Sequence, residues 1–148
     1  MNNIYDIKTL TEVFVKNEGG EIVHKLDGRY GQVGTVVKVR DRNYYLFYKK
    51  EWFITFSRFF PKFKGVGIGI SMKHIDLASA TDGIIVLFVV GKEYRIEAKL
   101  FKDFVEKNNT RKYFDKDNEL IGNVPASFLE DNMFVKQTID SQVEKYMH

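Results

Sequence analysis

Apolar residues recur at helical spacing in only short stretches of this chain, and alternation with polar residues fills most of the rest. Ile7, Leu10 and Phe14 fall on one helical face, Asp6 stands where a cap is needed and Gly19-Gly20 where a helix would end, so the pattern predicts a helix over 6–17. From Glu21 the period drops to two. Ile22 and His24 alternate first. Val33, Thr35, Val37 and Val39 then share one face, Arg40-Asp41-Arg42-Asn43 turns the chain, and Tyr44 to Tyr48 returns as the second arm of a hairpin. Trp52, Ile54 and Phe56 alternate with Phe53, Thr55 and Ser57, the pattern of a further strand ending before Pro61.

Gly65, Gly67 and Gly69 alternate with Val66, Ile68 and Ile70 ahead of Ser71, an N-cap for a helix running to about Ala80. The glycine spacing matches neither the dinucleotide nor the Walker pattern. Close packing of a ring or another backbone therefore accounts for it better than a phosphate loop does. A hairpin follows over 84–98, then a short helix carrying Leu100, Phe101, Phe104 and Val105 and ending at Asn108-Asn109. Arg111 to Asp115 and Glu119 to Pro125 flank the turn-forming Lys116-Asp117-Asn118, and Pro125 opens another short helix. From Asp131 the chain suits a C-terminal helix or a loosely docked tail. The expected fold class is α+β: one domain over 1–148, a mainly antiparallel sheet built of hairpins, and three or four short helices.

Composition narrows the setting. A chain of 148 residues, 44% hydrophobic, is long enough for one buried core. It has no cysteine, which excludes a disulfide framework, a thiolate zinc site and a cysteine nucleophile, and points to a cytoplasmic, intracellular protein. The opening residues lack a basic region followed by an apolar run. The longest strongly apolar stretch, Ile84 to Val90, is too short to span a bilayer, so no membrane partner is expected.

Charge is distributed unevenly. Residues 1–28 hold three bases and five acids, residues 29–64 nine and two, and residues 65–148 eleven and thirteen, so the excess positive charge lies in one quarter of the chain. Aromatic residues interleave with those bases from Tyr30 to Phe63, a pattern suited to phosphates and stacked bases. Arg40, Arg42, Lys49, Lys50, Trp52, Arg58, Lys62 and Lys64 are the candidate nucleic-acid contacts, and DNA or RNA is the leading expected partner. An acidic protein surface is the alternative, which would make the chain a non-catalytic interaction or adaptor domain. A homodimer through an aromatic edge or the apolar tail is also open.

Candidate catalytic chemistry is confined to the second hairpin. Asp82 precedes one strand, and Glu97 and Lys99 lie along the next. A turn at Gly91-Lys92 sets Glu97 opposite Val86 and leaves Asp82 about 13 Å away. A turn at Val90-Gly91 brings Asp82 to one diagonal, about 7–8 Å. Asp82-Gly-Ile-Ile-Val followed by Arg95-Ile-Glu97-Ala-Lys99 resembles the metal-binding core of the restriction-endonuclease-like superfamily, PD-(D/E)XK, over about twenty residues, with Thr81 where the family's proline would stand. The resemblance implies that Asp82 and Glu97 ligate Mg²⁺ while Lys99 holds the attacking water or stabilises the phosphate's developing charge. The other reading of the same residues is a solvent face: Glu93, Arg95, Glu97 and Lys99 outward, with Tyr94, Ile96 and Ala98 inward.

The remaining chemistry-bearing residues form no pattern. No two of His24, His74 and His148 have metal-ligand spacing, and no serine sits in a nucleophile elbow. The expectation is a small nucleic-acid-associated domain, a metal-dependent nuclease or a degenerate nuclease fold, with the question of catalysis left open.

Overall fold

The computed structural model describes residues 5–28, 31–53, 55–114 and 119–148, with the backbone alone at 31 and 114. Asp6 accepts the Thr9 N–H at 2.8 Å and opens α1 (Ile7–Glu18), which Gly19 ends in the left-handed conformation at φ +72. A meander follows: β1 (Glu21–Gly28), β2 (Gly31–Val39) and β3 (Arg42–Lys49), with the tight turn at Arg40-Asp41. Then come α2 (Phe56–Phe59), β4 (Gly67–Ser71), α3 (Met72–Ala80), β5 (Ile84–Val89), β6 (Lys92–Glu97) and α4 (Ala98–Asn108). The chain finishes with β7 (Arg111–Phe114), β8 (Glu119–Pro125), α5 (Ala126–Asn132), β9 (Val135–Thr138) and α6 (Ile139–Met147).

Six strands make one sheet in the order β1-β2-β3-β5-β6-β9, antiparallel except for the parallel pair β3 and β5. A parallel pair needs a long crossover, and the stretch holding α2, β4 and α3 provides it. β4 leaves the main sheet and joins β8 and β7 in a second, antiparallel sheet of order β4-β8-β7. The fold is α+β with a mostly antiparallel sheet, as the alternation predicts.

Two cores lie on the two faces of the main sheet. Leu10 and Phe14 of α1 and Ile139 of α6 pack on Val37, Leu46, Ile84, Val86 and Phe88. On the opposite face Tyr45, Phe47, Ile85, Leu87 and Ile96 meet Ile75 of α3, Phe101 and Val105 of α4, and Ile68 and Val124 of the small sheet. Covered on both sides, every residue of β5 is buried, which is why Ile84 to Val89 is an unbroken apolar run.

Several expectations are corrected. The strand over 52–56 is not formed. Phe53 makes an isolated bridge to Gly67 rather than a strand, Ile54 lies outside the described residues, and Phe56 starts α2. The aromatic spacing explains this, because a turn of helix lets Phe56 meet Phe60 at 5.0 Å and Phe63 at 6.1 Å between ring centroids. The glycines of β4 are packing positions: a Cβ on Gly67 would overlap the Phe56 ring, and one on Gly69 would lie 2.5 Å from Asn123 Oδ1. The hairpin of β5 and β6 ends at Glu97, so Ala98 and Lys99 belong to α4. The tail is docked, for Lys16 Nζ donates to the Tyr146 carbonyl at 2.8 Å and Asn17 Nδ2 to the Gln142 carbonyl at 2.9 Å.

Candidate functional site

The turn of the β5–β6 hairpin falls at Val90-Gly91, which pairs Ile84 with Glu97 and leaves Asp82 on the near diagonal. Asp82 sits at φ +54 just past the end of α3, where its N–H bonds the Ser79 carbonyl at 3.1 Å. A carboxylate at the negative end of a helix invites cations. Lys99 Nζ lies 3.2 Å from Asp82 Oδ1, and Arg42 reaches both acids: its Nη2 is 3.4 Å from Glu97 Oε1 and 3.8 Å from Asp82 Oδ1, while its Nε donates to the Asp82 carbonyl at 3.0 Å. Asp82 is thus paired with Lys99 and bridged to Glu97 by the guanidinium of Arg42.

A hard divalent cation takes six or more oxygens, and here two carboxylates are already engaged by two cations. Among the described residues no group of three His, Cys, Asp or Glu side chains is arranged to hold a metal ion. As arranged, the corner does not fit Mg²⁺. It fastens the start of β3 to the α3–β5 turn and the β6–α4 junction.

The solvent-face reading of β6 also needs correction. Glu93 is 2% exposed and Arg95 8%, because α1 and α6 cover that face. Arg95 Nε donates to Glu93 Oε2 and Nη2 pairs with Glu18 Oε1, each at 2.6 Å, and its guanidinium lies 4.9 Å from the Phe14 ring centre. Gln137 Nε2 donates to Glu93 Oε2 at 2.6 Å. Burial pulls the Arg95 guanidinium toward neutrality, but the Glu93 charge and the hydrogen bonds to Glu93 and Glu18 outweigh it and raise its pKa. The void beside this network is 10 Å³, too small for a ligand, so the network is structural.

The candidate nucleic-acid contacts divide between places. Arg40 and Arg42 stand at one end of β3 and Lys49 and Lys50 at the other, about 23 Å apart at strand rise. Trp52 is half-buried, edge-on to Tyr94 at 6.0 Å. Arg58, Lys62 and Lys64 are exposed on the segment of α2 and the loop after it. This segment abuts β7, a contribution the sequence pattern did not signal. Lys112 Nζ lies 3.5 Å above the Phe59 ring, which stacks on Phe53 at 5.5 Å. β7 is the edge of the small sheet and adds Arg111 and Tyr113, the latter 63% exposed.

A second feature is invisible in the spacing because its residues come from four elements. Lys49 of β3, Ser71 and His74 at the start of α3, and Glu119 of β8 line one cleft, walled also by Phe47, Ile70 and Ile121. Its volume is 250 Å³. Burial pushes the Lys49 ammonium pKa down, against the pull of Glu119. The His74 imidazole is pushed down by burial and then by Lys73, so it is held neutral over more of the pH range than a free histidine.

No family model, curated protein or solved structure matches this chain.

Proposed function

We propose that this protein binds nucleic acid, DNA or RNA, through the surface made by the segment Arg58 to Lys64 and the edge strand β7. One observation carries the reading. Arg58, Lys62 and Lys64 are exposed with no acid within 4.0 Å among the described residues, and Lys112 of β7 lies 3.5 Å over the Phe59 ring of the same segment. These bases, with Arg111 and the exposed Tyr113 on the same edge strand, supply phosphate contacts and a stacking group, which need no sequence readout.

The test is titration of labelled single-stranded and duplex DNA and RNA at two salt concentrations with Mg²⁺ present, following binding and strand cleavage together. Wild type should bind with a steep salt dependence, and the triple charge reversal Arg58→Glu, Lys62→Glu, Lys64→Glu should lose most of the affinity. Binding that survives the reversal, or has no salt dependence, rejects the reading and favours a protein partner. Cleavage that disappears in Glu97→Ala while binding survives would assign a nuclease activity to the Asp82, Glu97 and Lys99 corner.

A further inference from the structure

We propose that the cleft between the end of β3 and the start of α3 is a binding site for a phosphate-type oxyanion, with Lys49, His74, Ser71 and the first-turn N–H groups of α3 as donors. α3 is nine residues long, and the Ser71 hydroxyl at its N-cap accepts no hydrogen bond from the first turn. The first-turn N–H groups thus lack the side-chain acceptor that most helices supply, and they carry the positive end of the helix dipole. A helix start alone would decide nothing; His74 supplies the independent observation.

His74 is 6% exposed and makes no hydrogen bond to any described residue, its contact with the Phe47 ring being aromatic, at 5.8 Å. Yet among the described residues no buried side-chain nitrogen or oxygen lacks a partner. The His74 ring nitrogens therefore reach the open space of the cleft, whose wall His74 forms. Lys49 lines the same space and has no hydrogen bond or ion pair within 4.0 Å among the described residues. Lys49 and His74 therefore face one cleft with no protein partner among the described residues, as donors left for a ligand.

An oxyanion answers each group at once: a charge-assisted bond from Lys49, an N–H from His74, the Ser71 hydroxyl, and backbone N–H groups. A cleft of 250 Å³ holds about eight waters' worth of liquid, more than a bare phosphate needs. Phe47, Ile70 and Ile121 offer an apolar wall to the rest of the ligand, and Glu119 accepts a hydroxyl or amine from it. The shared chemistry is a phosphomonoester, free as a small molecule or at the end of a nucleic-acid strand. Burial lowers the pKa of both His74 and Lys49, and an anion between them raises both, against the opposing positive field of Lys73 and with that of Glu119. Binding then takes up protons, and affinity falls as pH rises.

Inorganic sulfate, which stays a dianion through neutral pH, is the first probe, followed through the imidazole resonances of the full chain. It should move His74 and raise its titration midpoint while leaving His24 and His148 in place. Lys49→Met should weaken sulfate about tenfold and Ser71→Ala by a smaller factor. Glu119→Gln should tighten it by removing a like charge. Lys49→Met needs no refolding allowance, since its thermal melt should match that of wild type: Lys49 is partly exposed and has no hydrogen bond or ion pair to a described residue to lose. A His74 resonance unmoved by millimolar sulfate, equal sulfate affinity in Lys49→Met, or weaker binding in Glu119→Gln overturns the proposal. A nucleoside monophosphate and a 5′-phosphorylated oligonucleotide, each against its unphosphorylated counterpart, distinguish the two sources. The triple charge reversal on the α2 segment should leave sulfate binding intact, so this site and the nucleic-acid surface stand or fall separately.

Discussion

At the scale of single residues, burial decides which charged pairs matter. Glu93 is sealed beneath α1, and removing its guanidinium partner would leave a buried carboxylate uncompensated. Arg95→Met should destabilise the protein by about 3–5 kcal/mol in urea denaturation, with Trp52, the single tryptophan, as the fluorescent reporter. Arg42 makes as many contacts, but its side chain is 37% exposed, with Asp82 at 69% and Glu97 at 48%. Solvent screens that corner, so Arg42→Ala should cost under about 1 kcal/mol in the same assay. His74 gives a pH signature. Its folded pKa lies below the ordinary 6.5, so the unfolded chain takes up its proton first as pH falls. The stability due to neutral His74 is complete above that value and is lost as pH drops through it toward the folded pKa. The decline between about pH 7 and pH 5 should flatten in His74→Gln, and an unchanged slope would show that another group sets it.

At the scale of elements, aromatic crowding around glycine places the basic segment. α2 has only four residues and little helical stability of its own; it is held by Phe56, fully buried against Gly67. A Cβ at Gly67 would collide with that ring and lie 2.6 Å from the Val124 carbonyl oxygen. Gly67→Ala should therefore cost about 1–3 kcal/mol and displace α2. Because α2 carries Arg58 and the Phe59 ring on which Lys112 lies, the same substitution should weaken nucleic-acid binding beyond its effect on stability, measured well below the melting temperature. The helix over 6–17 and the β5–β6 hairpin were legible in the sequence because their periodicity is local. The strand expected over 52–56 was not, since alternation in Trp52 to Ser57 and a helical turn through Phe56, Phe60 and Phe63 fit the same residues, and contact with β4 chooses between them.

At the scale of the whole molecule, the candidate surface is one exposed basic segment, Arg58 to Lys64, set against the edge strand β7. Lys62→Glu with Lys64→Glu should leave stability within about 1 kcal/mol, because both side chains are exposed and unpaired. The same double variant should reduce the salt dependence of nucleic-acid affinity by about two phosphate contacts' worth, read from the slope of log affinity against log salt. A stability loss several times larger would place that segment in the core and remove the surface. The sheet's two covered faces set the background for these tests: the fold rests on β5 and its neighbours, remote from the charged rim.

The sequence by itself determined the α+β class, most element positions, the crowding of bases into residues 29–64 and the absence of thiol chemistry, because each of these is a local or compositional property. Only the tertiary structure decided what the charged residues do. Alternation along β6 marks Glu93 and Arg95 as a polar face, but whether that face meets water depends on α1 and α6, elements far away in the chain. Register decided that Asp82, Glu97 and Lys99 share one corner, and the turn of the first hairpin decided that Arg42 stands among them. The cleft of Lys49, Ser71, His74 and Glu119 has no sequence signature, since β3, the β4–α3 junction and β8, from distant parts of the chain, must pack before its residues share a space.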